Sequence, residues 1–131
     1  MIDLLSLIVP DYDQAIHFFV NVLDFVLEED RRSFTTDGRE KRWVVVRPRT
    51  GGSGLLLARA DGNLQHAAVG AQWAGRVGLF LRVPDFQATL ARLEGRGVVI
   101  EGAPRHEPYG TVVVFRDPWG NRWDLLGSST S

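Results

Sequence analysis

A segment near the N-terminus, Leu7-Ile8-Val9-Pro10-Asp11-Tyr12, returns 74 positions later as Leu81-Arg82-Val83-Pro84-Asp85-Phe86, with no gap. The register persists beyond it: Ile16 falls on Leu90, Phe19 on Leu93 and Phe25 on Val99. An apolar run, a Pro-Asp break, an amphipathic helical stretch and a further apolar run therefore occur twice in the same order. A chain of 131 residues can bury one domain's core but not two independent ones. Two half-sized modules sharing a core satisfy both constraints. Chance is the alternative, because helices that follow strands often open with Pro-Asp.

Lys and Arg (15) nearly balance Asp and Glu (16), for a net charge of -1. That leaves no field to draw nucleic acid or an anionic membrane, and favours small molecules or proteins as partners. The absence of cysteine removes disulfides, thiolate metal sites and a cysteine nucleophile. No basic segment with an apolar core opens the chain, and no apolar run reaches membrane-span length. A soluble cytoplasmic protein is the expectation.

In chain order, residues 2 to 9 read as a strand apolar on both faces, ended by Pro10. Asp11 is an N-cap candidate for a helix over 12–23, whose stripe is Ala15, Ile16, Phe19 and Leu23. His17 lies beside that stripe and reads as a surface histidine, with a ligand role as the alternative. Phe25 to Arg32 and Arg42 to Pro48 form a hairpin pattern around Thr36-Asp37-Gly38. Arg39, Lys41, Arg42, Arg47 and Arg49 make this the basic part of the chain, read either as a solvated sheet edge or as an anion site. Thr50 to Gly54 is a turn, and Leu55 to Arg59 closes module one (1–59). The Gly-rich turn lacks the lysine and helix of a phosphate loop.

Residues 60–75 read as a linker with a short helix and an exposed His66. Module two (76–126) follows: strand 77–83, helix 85–95, strand 98–100, a polar loop 101–109, strand 110–116, a turn at Asp117-Pro118-Trp119-Gly120 and strand 121–126. A frayed tail is expected over 127–131.

The doubled βαβββ pattern, the V-x-D ending each first strand, Phe18 to Phe25, and above all Phe115-Arg116-Asp117-Pro118-Trp119-Gly120-Asn121 resemble the vicinal oxygen chelate superfamily over residues 2–126. That superfamily includes glyoxalase I, extradiol dioxygenases, fosfomycin-resistance enzymes and bleomycin-binding proteins. The resemblance implies an α+β fold, two βαβββ modules forming a curved mixed sheet, and a homodimer. Asp24 departs from it by replacing the helix-ending glycine.

The resemblance also locates a family metal centre, on positions that here are Leu4, Leu56, Gly78 and Asp124. Only Asp124 has a side chain that can ligate, whereas catalytic divalent metals need about three ligands. No cofactor is therefore expected, with a divalent metal relocated to His106, Glu107 and Asp124 as the alternative. Alternation places Leu4, Ser6, Ile8, Gly78, Phe80 and Arg82 on the concave face with Asp124, with room left at Gly78. Trp43, Tyr109 and Trp119 are rim candidates, or ordinary core aromatics.

The first reading is thus a metal-free protein binding a small, partly apolar molecule. Asp124 is its polar anchor, or a general acid or base if its pKa is raised. A strand-end carboxylate paired to Arg82 or Arg122 is the equal alternative for Asp124. The second reading is a lyase or dioxygenase-like enzyme on the relocated metal, and the third is an accessory module with a vestigial cleft.

Overall fold

The computed structural model describes residues 1–128, which divide into two compact units meeting at Val69/Gly70, inside the stretch read as a linker. In the first unit, β1 (Leu4–Val9) leads to α1 (Tyr12–His17), which runs on as one π-helical turn (Phe18–Val22). There follow β2 (Phe25–Phe34), β3 (Glu40–Pro48), β4 (Gly54–Arg59) and the short α2 (Asn63–Ala68). The sheet order is β1-β4-β3-β2, with β1 parallel to β4 and the other pairs antiparallel. The second unit holds β5 (Val77–Arg82), α3 (Phe86–Gly95), β6 (Ile100–Glu107), β7 (Gly110–Arg116) and β8 (Arg122–Gly127), in the matching order β5-β8-β7-β6. Each module therefore builds its own four-stranded mixed sheet by the same βαβββ route.

The repeat holds at the level of single hydrogen bonds. Asp11 caps α1 by accepting from the Gln14 N–H at 2.7 Å, and Asp85 caps α3 by accepting from the Ala88 N–H at 3.0 Å. Both donor and acceptor are 74 residues apart between modules. Each cap satisfies one of the orphan donors of a helix start. Strand alternation then fills each core. Leu7, Val9, Val44, Val46 and Leu57 are fully buried with Phe19 in the first unit, as are Leu93, Phe115 and Leu125 in the second. Phe115 and Trp123, cross-strand partners, stack with ring centroids 5.5 Å apart, a pair worth about 1 kcal/mol beyond its burial.

The most specific stretch of the sequence has a structural explanation. The buried Asp117 carboxylate accepts from the backbone N–H groups of Trp119, Gly120 and Asn121, from the Asn121 side-chain amide and from the Trp123 indole, all at 2.9–3.1 Å. Its charge thus holds the whole turn from β7 into β8. Burial pushes its pKa up, while the hydrogen bonds from Asn121 and Trp123 pull it down.

Three expectations are corrected. The polar loop 101–109 is largely strand: β6 pairs with β7 from Ile100 to Glu107, interrupted by a bulge between Glu101 and Arg105. The basic strand β3 is interior, between β2 and β4, so its arginines do not guard a sheet edge. Of the tail 127–131, Gly127 closes β8, and residues 129–131 lie outside the described residues. Asp24, standing where the resemblance has glycine, does adopt a positive φ of 60°, which Asp tolerates better than most residues. Among the described residues no helix is long and apolar enough to cross a membrane.

Candidate functional site

In the second unit, β8 places Asp124 between Phe80 of β5 and Val114 of β7. Its neighbours Trp123 and Leu125 turn into the core, 2% and 0% exposed, so the pleat sends Asp124 to the opposite face. Asp124 is 8% exposed, and its Oδ1 is buried with no hydrogen-bond partner. Burial raises its pKa, opposed by the positive charges of Arg105 and Arg122. The cross-strand partner Phe80 is 64% exposed, so a buried acid and an open aromatic ring share one rung.

The pairing of Asp124 with an arginine does not form. Arg122 instead grips Glu101 with Nη2 and Nε at 3.0 and 3.1 Å, and donates to the Gly75 carbonyl. Arg116 reaches the same Glu101 at 2.7 Å. The Arg122 and Arg116 guanidiniums hold the Glu101 carboxyl below its ordinary range. Arg82 is exposed at the end of β5, beside Leu126.

Gly78 does not leave room. A side chain there would start 2.1 Å from Cδ2 of Trp73, so the Trp73 indole already fills that volume. Sequence reasoning did not single out Trp73; its only signal was a tryptophan in an otherwise Ala- and Gly-rich segment.

His106 and Glu107 are not brought to Asp124. His106 faces Thr111, its Nδ1 3.2 Å from the threonine Oγ1, on the opposite pleat face from the Val114–Asp124 rung. Glu107 pairs with Arg105 at 3.2 Å. Tyr109 is 54% exposed in the β6–β7 hairpin turn, and Trp119 is half-buried in the turn built on Asp117.

In the first unit, register puts Ser6 opposite Leu56, and Leu56 opposite Val45, on the face away from Leu7 and Leu57. Leu4 and Ile8 are half-buried on that face, and Ser6 is exposed. Trp43 belongs to it too, with the Arg31 guanidinium 5.5 Å from its ring centre. The nearby arginines are mostly neutralised. Arg39 pairs with Asp61 and Asp37, Arg42 with Asp30 and Asp13, Arg47 with Glu28 and Asp3, and Arg49 with Asp24. The Arg42 and Arg39 bonds lower the pKa values of Asp30 and Asp61, respectively. His17 sits exposed on the helix, bonded to the Asn21 amide at 2.9 Å, and His66 is exposed on α2.

The residues do not fit the metal that the resemblance implies. Leu4, Leu56 and Gly78 supply no donor, Trp73 occupies the space over Gly78, and no group of three His, Cys, Asp or Glu side chains able to hold an ion exists among the described residues.

The model of the Glyoxalase/Bleomycin resistance protein/Dioxygenase superfamily matches residues 1–125. The chain belongs to this superfamily. An uncharacterised protein from Shewanella frigidimarina (strain NCIMB 400) is 47% identical over 123 residues, 93% of this chain and 89% of its own length. The crystal structure of TnmS3, an antibiotic binding protein from Streptomyces sp. CB03234, is similar at 32% identity and TM-score 0.75. It covers 98% of this chain and 96% of TnmS3. The fosfomycin resistance protein FosX of Listeria monocytogenes, 12% identical with TM-score 0.66 over 98% of this chain and 93% of its own, shares the superfamily fold.

Proposed function

We propose that this superfamily member binds a small, partly aromatic molecule without a metal, on the sheet face that carries the exposed Phe80 and the buried Asp124. The observation that carries the reading is the Asp124 carboxyl: buried, unpaired at Oδ1, and flanked by an exposed ring. An unsatisfied buried carboxyl is costly to fold, by about 1–3 kcal/mol, unless some other molecule completes it. A ligand hydroxyl, amine or ammonium does so, while an apolar ring covers Phe80. The likeness to an antibiotic binding protein supports sequestration rather than turnover as the outcome.

Binding to a panel of aromatic antibiotics, followed by thermal shift in chelator-treated buffer, tests the reading. Compounds with a donor group should raise the melting temperature, and Asp124→Asn should blunt the effect. A homodimer, carried from the resemblance, is part of the same proposal and is read from the molecular mass in solution.

A further inference from the structure

Gly78 is the seat of a tryptophan ring. A Cβ at this glycine would lie 2.1 Å from Trp73 Cδ2 and 2.5 Å from both Cγ and Cε3, which are bonded to Cδ2. Equal distances to those two atoms, each longer than the first, put the point above Cδ2 along the ring normal rather than in the ring plane. The indole therefore lies face-on over Gly78, and only the missing side chain admits it. One face of the ring covers β5, and the other is turned away from the strand.

The segment that delivers the ring is fixed to the sheet on both sides. Gly70 packs so closely on the Trp119 carbonyl that a Cβ would meet its oxygen at 1.8 Å, and Arg122 Nη1 donates to the Gly75 carbonyl at 3.1 Å. Between them the Ala74 N–H donates to the Ala71 carbonyl at 3.1 Å and the Arg76 N–H to the Trp73 carbonyl at 3.0 Å. Ala74, next to Trp73, takes φ 54°, a conformation that a residue with a side chain adopts only where its surroundings hold it.

Trp73 stands on the face of Phe80 and Asp124. With Arg116 and Arg122 it lines a cavity of about 340 Å³, and those arginines are cross-strand partners two residues along from the Val114–Asp124 rung, hence on its pleat. Gly78 precedes Phe80 by two residues, a span of about 7 Å along β5. The ring is half-buried, so it is not sealed in the core. The cavity does not call for an anion. Glu101 holds both Arg116 and Arg122, and Asp117 in the turn and Asp124 on β8 match the remaining Arg76.

We propose that Trp73 is the specificity-determining residue of the Phe80–Asp124 site: the outer face of its indole and the Phe80 ring together receive a neutral, fused-ring aromatic molecule whose hydroxyl meets Asp124. This rests on the binding reading above and narrows its ligand from partly aromatic to fused-ring. A single ring covers one of the two seats, whereas a fused system reaches both.

The test titrates the full chain, labelled with 5-fluorotryptophan, with 2-anthracenemethanol and in parallel with benzyl alcohol, read by fluorine NMR with the Trp73 signal assigned from Trp73→Phe. A saturable shift of the Trp73 signal is expected, with the fused alcohol bound at least roughly tenfold more tightly than the single-ring one. Trp73→Ala should largely abolish that preference while the spectrum stays dispersed, Trp73→Phe should recover part of it, and Asp124→Asn should weaken both alcohols. An unmoved Trp73 signal, equal affinity for the two alcohols, or a preference that survives Trp73→Ala overturns the inference. If Asp124→Asn still weakens both alcohols in that case, the binding reading stands without it. No effect of Asp124→Asn on either alcohol overturns that reading and the inference with it.

Discussion

Phe80 and Asp124 are cross-strand partners of opposite character: the phenylalanine is 64% exposed, and the aspartate is 8% exposed with a buried, unpartnered Oδ1. In a sheet built for stability alone, the positions would be exchanged, with the ring inside and the acid in water. The arrangement is the kind of local inconsistency that concentrates at binding sites.

Asp124→Asn should therefore stabilise the protein, by about 1 kcal/mol, while weakening ligand binding. The pH dependence fixes the sign. Burial raises the Asp124 pKa above 3.8. The native state thus holds the proton more tightly than the unfolded chain, and stability falls as pH rises from 3.8 through the native pKa. The advantage of the asparagine variant should be full above that native pKa and vanish below about pH 3.8, the unfolded value. Urea melts of both proteins across this window measure it.

Glu101 should show the opposite sign. Its pKa is held below 4.5, first by the Arg122 hydrogen bonds. Its contribution is present above pH 4.5 and lost as pH falls through the lowered native value. Glu101→Gln should therefore cost stability at neutral pH, by up to about 1 kcal/mol for so accessible a pair, and nothing in strong acid.

Asp117→Ala removes the acceptor for five hydrogen bonds within one buried turn. A loss of about 3 kcal/mol or more is expected, since each donor left unsatisfied in the buried turn costs about 1–3 kcal/mol. Chemical denaturation checks this. A loss below about 1 kcal/mol, no more than an ordinary hydrogen bond, contradicts the role assigned to the motif.

Asp11→Ala and Asp85→Ala should each cost about 1 kcal/mol, since each removes one helix cap. Similar losses in the two variants express the repeat energetically; a cost at only one of them shows that one module has outgrown the shared design.

The repeat was legible because its signals are local. Pro-Asp between a strand period and a helix period needs no tertiary contact, and both aspartates cap as the pattern requires. The inward turn of Trp123 and Leu125, and with it the placement of Asp124, followed from alternation alone. Strand β6 was illegible because Gly102, Pro104 and Pro108 punctuate it, and the structure absorbs that punctuation in a bulge around Gly102 with φ 76°. The fates of Gly78 and Arg122 were illegible for a different reason. Each is set by one side chain, Trp73 or Glu101, whose arrival depends on how the loop or strand around it folds.

Gly78→His places a metal-binding side chain at the vacated family position, yet Trp73 blocks its Cβ. This variant should lose stability by about 1–3 kcal/mol, as overpacked sites do, and should gain no tight zinc or nickel binding. Thermal melts with elemental analysis report both.

The most direct test of the central claim is one calorimetric titration series: an aromatic antibiotic bearing a hydroxyl or amine, selected from the thermal-shift panel, added to the chelator-treated wild type and to Asp124→Asn. The expected result is metal-independent binding to the wild type, weakened at least roughly tenfold in the variant. Binding that needs added divalent metal, or that is equally strong in both proteins, contradicts the account.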